Sequence, residues 1–479
     1  MTLLRKTKIV ATLGPASSSE EMLARMITAG VDVVRLNFSH GTAQDHIDRA
    51  DMVRRIAARL GRPVGVLCDL QGPKIRIGKF SEGSIRLAVG DKFILDAGCR
   101  LGNQQRVGLD YQTLPQEVET GTVLLLDDGR IVMTVESVRG AEIHCTVNVG
   151  GVLSNNKGIN RQGGGLSAAA LTEKDKADIK TAAALEADFI AISFPRSGDD
   201  VHLARELVKA AGGTASIVAK IERAEAIAAL EEIVNASDAI MVARGDLGVE
   251  VGDAAVPGLQ KRMIRMARAR NKVVITATQM MESMINSPIP TRAEVSDVAN
   301  AVLDGTDAVM LSAESAVGHF PLETVQAMHR VCLEAEKEYY AQPLNQRFTQ
   351  ETHRIDEAIA AATIYTARNL TVKAIAALTQ SGASAQWLSR ADTIVPIYAL
   401  SPEKVARRKL TLNRGVYAYP IEQSGKDRDD ILREMENTLL RNNVVSEGDL
   451  VLLTFGEPIG TAGGTNTMKI LKVGEHRSD

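Results

Sequence analysis

Through the first two thirds of the chain, short apolar runs recur, and nearly every one ends in a residue able to do chemistry. The run VVRLNFSHG presents Arg35, Asn37 and Ser39; another ends at Asp69 and a third at Ser193. AKIE carries Lys220 and Glu222, ARGDLG carries Arg244 and Asp246, ATQ brings Thr278, and LSAE brings Ser312 and Glu314. Glu222 and Asp246 suit a magnesium ion, which prefers carboxylate oxygens. Lys220 and Arg35 are cations for a phosphate, while Arg244 is either a third such cation or half of a structural ion pair. The small residues of Arg244–Gly248 let backbone amides approach an anion closely at a helix start. Thr278 and Ser312 add hydroxyls. Metal ligands, cations and hydroxyls without a Ser–His dyad or a reactive cysteine point to phosphoryl transfer by positioning and electrostatics. No G-x-x-x-x-G-K-[ST] loop is present, so a nucleotide must be held by other means.

These residues need a frame that gathers them. The segments Lys8–Leu13, Asp32–Leu36, Val64–Asp69, Phe189–Ser193, Ser216–Lys220, Ala239–Val242, Lys272–Ala277 and Ala308–Leu311 read as strands. Most are continuous apolar runs, as expected of parallel strands covered on both faces. Amphipathic or alanine-rich stretches follow most of them, including Glu20–Ala29, Ala43–Leu60, Glu173–Glu186, Asp199–Ala211 and Ala254–Ala269. Eight such units predict an α/β fold, a (β/α)8 TIM barrel, whose sites lie at the C-terminal strand ends. Between Asp69 and Thr172 the grammar changes to alternating segments punctuated by glycine, which predicts an inserted antiparallel β lid domain. From about Pro343 helices and strands alternate again, starting with a helix over Ile355–Leu370, and predict a separate C-terminal α/β domain. The expected division is a barrel over 1–72 and 168–342, a lid over 73–167 and a C-terminal domain over 343–479.

Composition narrows the class. Against 56 basic residues stand 59 acidic ones, and aromatics make up 3% of the chain. Neither bulk positive charge nor aromatic stacking therefore favours a nucleic-acid partner. Cys68, Cys99, Cys145 and Cys332 lack zinc-ligand or redox spacing. No apolar run approaches the ~20 residues of a membrane span, and the N-terminal apolar stretch is short for a secretory signal. A cytoplasmic protein without membrane contact is expected.

The strings TKIVATLGPAS, VRLNFSHG, SIVAKIERAEAI, MVARGDLGVE, TATQMMESM, PTRAEVSDVANAVLDGTDAVMLSAES and GGTNT stand in one order along the chain. In that order they resemble the pyruvate kinase family over essentially the whole length. The resemblance implies transfer of the phosphoryl group of phosphoenolpyruvate to ADP, giving pyruvate and ATP. It implies that Glu222 and Asp246 hold Mg2+ or Mn2+, that Arg35 and Lys220 handle the phosphoryl group, and that Gly245, Asp246 and Thr278 bind the substrate carboxylate. Asn37, His40 and Arg76 resemble nucleotide contacts, joined by Asp128 and Lys157 from the lid. A relay through Thr278, Ser312 and Glu314 is expected to serve protonation of the enolate. The family is usually a homotetramer.

One segment departs from the commonest family pattern. Many relatives read D-T-K-G-P-E-I-R where this chain reads DLQGPKIR. In them the residues matching Asn37, Ser39, Asp69 and the carbonyl at position 70 cage a potassium ion. Here Leu70, Gln71 and Lys74 replace Thr, Lys and Glu, which resembles the bacterial, potassium-independent branch, with Lys74 supplying the cation. In the C-terminal domain, Thr379, Ser381, Gly382 and Ser384 form a hydroxyl- and amide-rich loop at a helix start. It reads either as an effector phosphate site or as a plain helix cap, and the glycine-rich 461–467 loop is placed beside it. Two rival readings remain at this point: another metal-dependent phosphoenolpyruvate or pyruvate barrel (an aldolase or lyase), and a non-catalytic metabolite sensor.

Overall fold

The computed structural model describes residues 4–341, 354–422, 427–459 and 464–475. Eight strands are parallel and close into a barrel: β1 (Lys8–Thr12), β2 (Val33–Asn37), β3 (Gly65–Asp69), β4 (Phe189–Ile192), β5 (Ser216–Ile221), β6 (Ala239–Ala243), β7 (Val273–Ala277) and β8 (Ala308–Leu311). Their order around the barrel follows the chain, with β8 closing onto β1. Each apolar run named from sequence is one of these strands, with no end displaced by more than one residue.

The strands' alternation divides them between two cores, because successive side chains point to opposite faces. Ile9, Val34, Val66 and Cys68 pack outward with the surrounding helices. Val10, Val33, Leu67, Ala191, Val218 and Met310 fill the interior. Two residues further along the same inward columns stand Thr12, Arg35, Asp69, Ser193, Lys220 and Ser312. The C-terminal mouth is therefore lined with polar groups by the same periodicity that makes the layer beneath it apolar. At the opposite end, Leu412 joins the interior from the C-terminal part of the chain, fully buried. It belongs to the single turn Leu410–Leu412. Its neighbour Thr411 presses so close to Gly65 that a Cβ there would stand 2.6 Å from the Thr411 hydroxyl.

The insert has its own core around Phe93, Leu95, Met133 and Ile143. Six strands (Lys92–Asp96, Arg106–Gly108, Val123–Leu126, Ile131–Arg139, Glu142–Val149, Ile159–Arg161) make one sheet, and Ser84–Leu87 pairs with Gly151–Ser154. The expected antiparallel arrangement holds except between Lys92–Asp96 and Arg106–Gly108, which run parallel. Alternation specifies a half-buried strand and says nothing of its neighbour's direction.

The C-terminal sheet comprises β9 (Ala374–Leu378), β10 (Ile397–Ser401), β11 (Val416–Pro420), β12 (Leu450–Gly456) and β13 (Thr465–Lys472), in the order β11-β10-β9-β12-β13. The first four are parallel and β13 is antiparallel. The loop expected over 461–467 needs correction, since Thr465 to Thr467 open β13 and 461–463 lie outside the described residues. Its sequence, TNTMKILK, lacks an apolar run because β13 is an edge strand, where polar and charged side chains are the rule. Met280 and Met281 are core residues. The basic run Lys261–Arg270 lies on a helix that buries Met263 and Ile264 and pairs Lys261 with Asp304 and Arg268 with Asp392. Among the described residues no helix is long and apolar enough to cross a membrane.

Candidate active site

The inward columns converge on a chain of ion pairs at the barrel mouth. Arg35 Nε donates to Asp69 Oδ2 at 2.6 Å and its Nη1 donates to the Thr12 hydroxyl at 2.9 Å. On the other side of Asp69, Lys220 Nζ lies 3.3 Å from Oδ1, 2.8 Å from Glu222 Oε1 and 2.7 Å from the Ser193 hydroxyl. Ser193 passes the contact on to the Leu70 carbonyl at 2.8 Å. Sequence reasoning marked Ser193 as a strand end without giving it a role, and passed over Thr12. Both were legible as the next step of columns that begin at Ala191 and Val10.

Charge sets the protonation states. Burial alone would raise Asp69, but Lys220 and Arg35 beside it hold its carboxyl below the ordinary range. Burial opposes the charge on Lys220, and Asp69 and Glu222 more than offset it, so the ammonium is held above its usual value. Glu222 is pushed up to about 7 by burial and by the negative charge of Asp246, against the pull of Lys220. Three carboxylates thus face two cations, an excess that a divalent cation would relieve. Glu222 Oε2 also accepts from the Phe194 amide at 2.9 Å. Among the described residues no group of three or more His, Cys, Asp or Glu side chains could hold a metal. Glu222 and Asp246 carry carboxylate oxygens of the kind such an ion prefers, and the two alone make only a partial donor set.

The remaining wall comes from helix α1 (Arg244–Val251) and the loop after β7. The sequence placed the Arg244–Gly248 run at a helix start, and α1 begins there. Its Gly245 amide donates to the Thr278 hydroxyl at 2.9 Å, which donates in turn to the Ala277 carbonyl at 2.7 Å. Thr278 and Gln279 both sit in the left-handed region, at φ +66° and +53°. Arg244 holds them there: its guanidinium donates to the Ala277 and Thr278 carbonyls at 3.2 and 2.7 Å and pairs with Asp297 at 2.7 Å. Of the two roles open to Arg244, the structure gives the structural ion pair.

Glu314 also proves to be a brace. Its carboxylate accepts from the Ser312 amide at 2.7 Å and the Met281 amide at 3.2 Å, tying the loops after β8 and β7 together. One amide donor on each oxygen leaves each a further lone pair, so the bracing contacts stand beside the relay role expected of Glu314.

The proposed nucleotide side is more dispersed. Asn37 Oδ1 accepts from the Ser39 amide at 3.1 Å, and His40 is exposed. Arg76 is half-buried on the limb leading into the insert and bridges to Gly158 on the return limb. Lys157 Nζ pairs at 2.7 Å with Asp127, a residue missed from sequence, while the neighbouring Asp128 is exposed. Lys74 is half-buried, with its Cε 3.5 Å from where a Cβ on Gly158 would stand, so it bridges the insert's two limbs. In the C-terminal domain Gly382, at φ +95°, starts helix α2 (Ala383–Arg390), and its amide donates to the Thr379 hydroxyl at 2.9 Å. The Ser381 hydroxyl accepts from the Ala383 amide at 3.4 Å, and the Ser384 hydroxyl meets that of Thr465.

Comparison with known proteins agrees with this architecture. Residues 4–325 match the family described as pyruvate kinase, barrel domain, and residues 357–471 match pyruvate kinase, alpha/beta domain. The chain is 53% identical over 476 residues to pyruvate kinase II of Salmonella typhimurium, covering 98% of this chain and 99% of that one. It is 54% identical over 460 residues to a pyruvate kinase of Haemophilus influenzae, covering 95% and 96%. With a pyruvate kinase of Mycobacterium tuberculosis it shares 42% over 478 residues, 99% of each.

Proposed function

Because the chain belongs to the pyruvate kinase family, we propose that the ring at the barrel mouth performs the family's reaction with the residues assigned below. The enzyme is a phosphotransferase of glycolysis that converts phosphoenolpyruvate and ADP to pyruvate and ATP. The bond between phosphorus and the enol oxygen breaks, a bond to the terminal oxygen of ADP forms, and the enolate takes up a proton at carbon.

Arg35 and Lys220 bind the phosphoryl group, and Lys220 neutralises the enolate as it forms. The amides of Gly245 and Asp246 and the Thr278 hydroxyl orient the carboxylate at the N-terminus of α1. Glu222 and Asp246 would hold a divalent ion, Mg2+ or Mn2+, which would supply positive charge to neutralise the anionic substrate. Thr278 and Ser312 are the hydroxyls available to pass a proton. Asn37, His40, Arg76, Asp128 and Lys157 receive the nucleotide, the last three from a lid over 73–167 that covers a barrel over 1–72 and 168–342. The observation that carries this reading is Lys220, whose ammonium is fixed by Asp69, Glu222 and Ser193 beside Arg35. A coupled assay tests it: pyruvate release should require both ADP and Mg2+. An aldolase or lyase would release pyruvate without ADP, and a sensor would release none.

We further read the enzyme as potassium-independent. Oxygens of three of the four expected cage members already have partners: Asn37 Oδ1 the Ser39 amide, Asp69 the Arg35 and Lys220 side chains, and the Leu70 carbonyl the Ser193 hydroxyl. Lys74 would supply the missing charge and link it to lid closure. Thr379, Ser381, Gly382 and Ser384 would receive a phosphorylated effector in the domain over 343–479. A cytoplasmic homotetramer completes the proposal, and light scattering of the purified protein checks the assembly.

A further inference from the structure

The assignments above leave two carboxylates beside the metal-binding region without a role. Glu225 and Glu250 both meet the return limb of the insert, where strand Ile159–Arg161 runs into three successive glycines. Gly163, Gly164 and Gly165 have φ of +81°, +79° and +93°. The Gly165 amide donates to Glu225 Oε1, and the Gly163 amide donates to the Glu250 carbonyl at 3.2 Å. Asn160 Nδ2 reaches Glu250 Oε1 at 3.5 Å. A Cβ on Gly164 would stand 2.5 to 2.7 Å from the Glu225 carboxylate, so the turn lies directly against it.

The Glu250 side chain also reaches the catalytic wall, and Glu225 follows Glu222 by three residues in the chain. Glu250 Oε2 accepts from the Ala224 amide at 2.9 Å, two residues beyond Glu222. Glu250 itself lies in the last turn of α1, whose first turn carries Gly245 and Asp246. It is almost fully buried, 7% exposed, although it lies where two parts of the molecule meet. Its carboxylate therefore joins three things: the insert's return limb, the loop behind Glu222 and the helix behind Asp246. The return limb also carries Lys157 and the bridge partner of Arg76. A shift of this limb would move both cations relative to Lys220.

We propose that Glu225 and Glu250 are positioning residues that latch the insert's return limb over the barrel mouth and tie the lid's placement to the Glu222–Asp246 region. The latch rests on the phosphoryl-transfer reading, because it assigns the two residues to holding the nucleotide side against the phosphoenolpyruvate side. Breaking it should loosen the nucleotide contacts on the lid and spare the substrate contacts on the barrel.

The test compares Glu225→Ala and Glu250→Ala with Glu225→Gln and with Gly164→Ala, which disturbs the turn while keeping both carboxylates. Two readouts are taken on the full chain. Hydrogen exchange over 159–166 should quicken in both alanine variants. In the coupled assay KM for ADP should rise about fivefold, the equivalent of roughly one lost hydrogen bond, with KM for phosphoenolpyruvate within about twofold. Gly164→Ala should show the same split, and Glu225→Gln, which keeps an acceptor for the Gly165 amide, should restore near-parental values. Equal rises in both KM values, a glutamine variant no better than alanine, or unchanged exchange would each overturn the latch. If the parent protein releases no pyruvate from phosphoenolpyruvate and ADP, the functional reading fails and exchange alone decides the latch.

Discussion

Lys220 reaches two carboxylates and a hydroxyl within 3.3 Å, and each fixes the ammonium where a phosphoryl oxygen would otherwise find it mobile. Lys220→Ala should lower kcat about 100- to 1,000-fold, the scale of losing a preorganised electrostatic donor. Mg2+ binding, followed by calorimetry, should survive because Glu222 and Asp246 remain; unchanged turnover would refute the role. Lys74→Ala should convert an enzyme indifferent to potassium into one activated by it. Rates in potassium chloride against tetramethylammonium chloride check this, and a variant that is fully active without potassium refutes it. Far from the mouth, Lys8 is buried and donates to the Val416 carbonyl at 2.6 Å. Burial pulls its ammonium down from 10.5 to about 8. Between those values the unfolded chain holds a proton that the folded chain has released, so stability rises with pH across the window, by on the order of 3 kcal/mol in full. Lys8→Met should flatten the rise in urea midpoint between pH 7.5 and 9.5. The ring's members were readable in sequence because strand parity puts them in columns. The partners of Arg244 and Glu314 were not, since Asp297 lies on the helix Arg292–Leu303 and the Met281 amide in the loop after β7, and no spacing rule connects them.

At the level of elements, the loop after β7 shows how one side chain is aimed. Two consecutive non-glycine residues in the left-handed region cost about 1–3 kcal/mol each unless the surroundings enforce them. The fork of Arg244 does so through two carbonyls and Asp297. Arg244→Lys keeps the charge and loses the fork; kcat should fall about 100-fold, as expected of a misplaced Thr278, with the melting temperature little changed. Equal kcat would mean that the loop holds itself. The eight barrel strands were legible because burial on both faces leaves an unbroken apolar run. Strand β13 and the parallel pairing of Arg106–Gly108 were not, because an edge strand needs no such run and short strands do not announce their neighbours.

Over the whole molecule, the barrel and the C-terminal domain are joined by buried charge. Arg390 at the end of α2 pairs with Asp307 ahead of β8, and Arg408 pairs with Asp188 ahead of β4 at 2.7 Å. Asp307 also accepts from the Val274 amide in β7, and Asp188 from the Val66 amide in β3, both at 2.9 Å. The C-terminal domain thus grips the lower ends of four strands, β3, β4, β7 and β8, that bear or lead into site residues. Leu412→Ala should cost about 2–5 kcal/mol, the price of a fully buried leucine, and calorimetry should still show one transition covering both domains. Two separate transitions would show that the domains fold apart.

The position of Leu412 has a bearing on ancestry as well. Its side chain completes the barrel's inner layer, so the barrel ends in a floor lent by another part of the chain. A recombinant that joined this barrel to a distant relative's C-terminal half would have to bring its own leucine to the same depth. Failing that, it would carry a void beneath the strands that hold the site. The two halves are therefore expected to have changed in step at this seam, however freely their outer surfaces diverged.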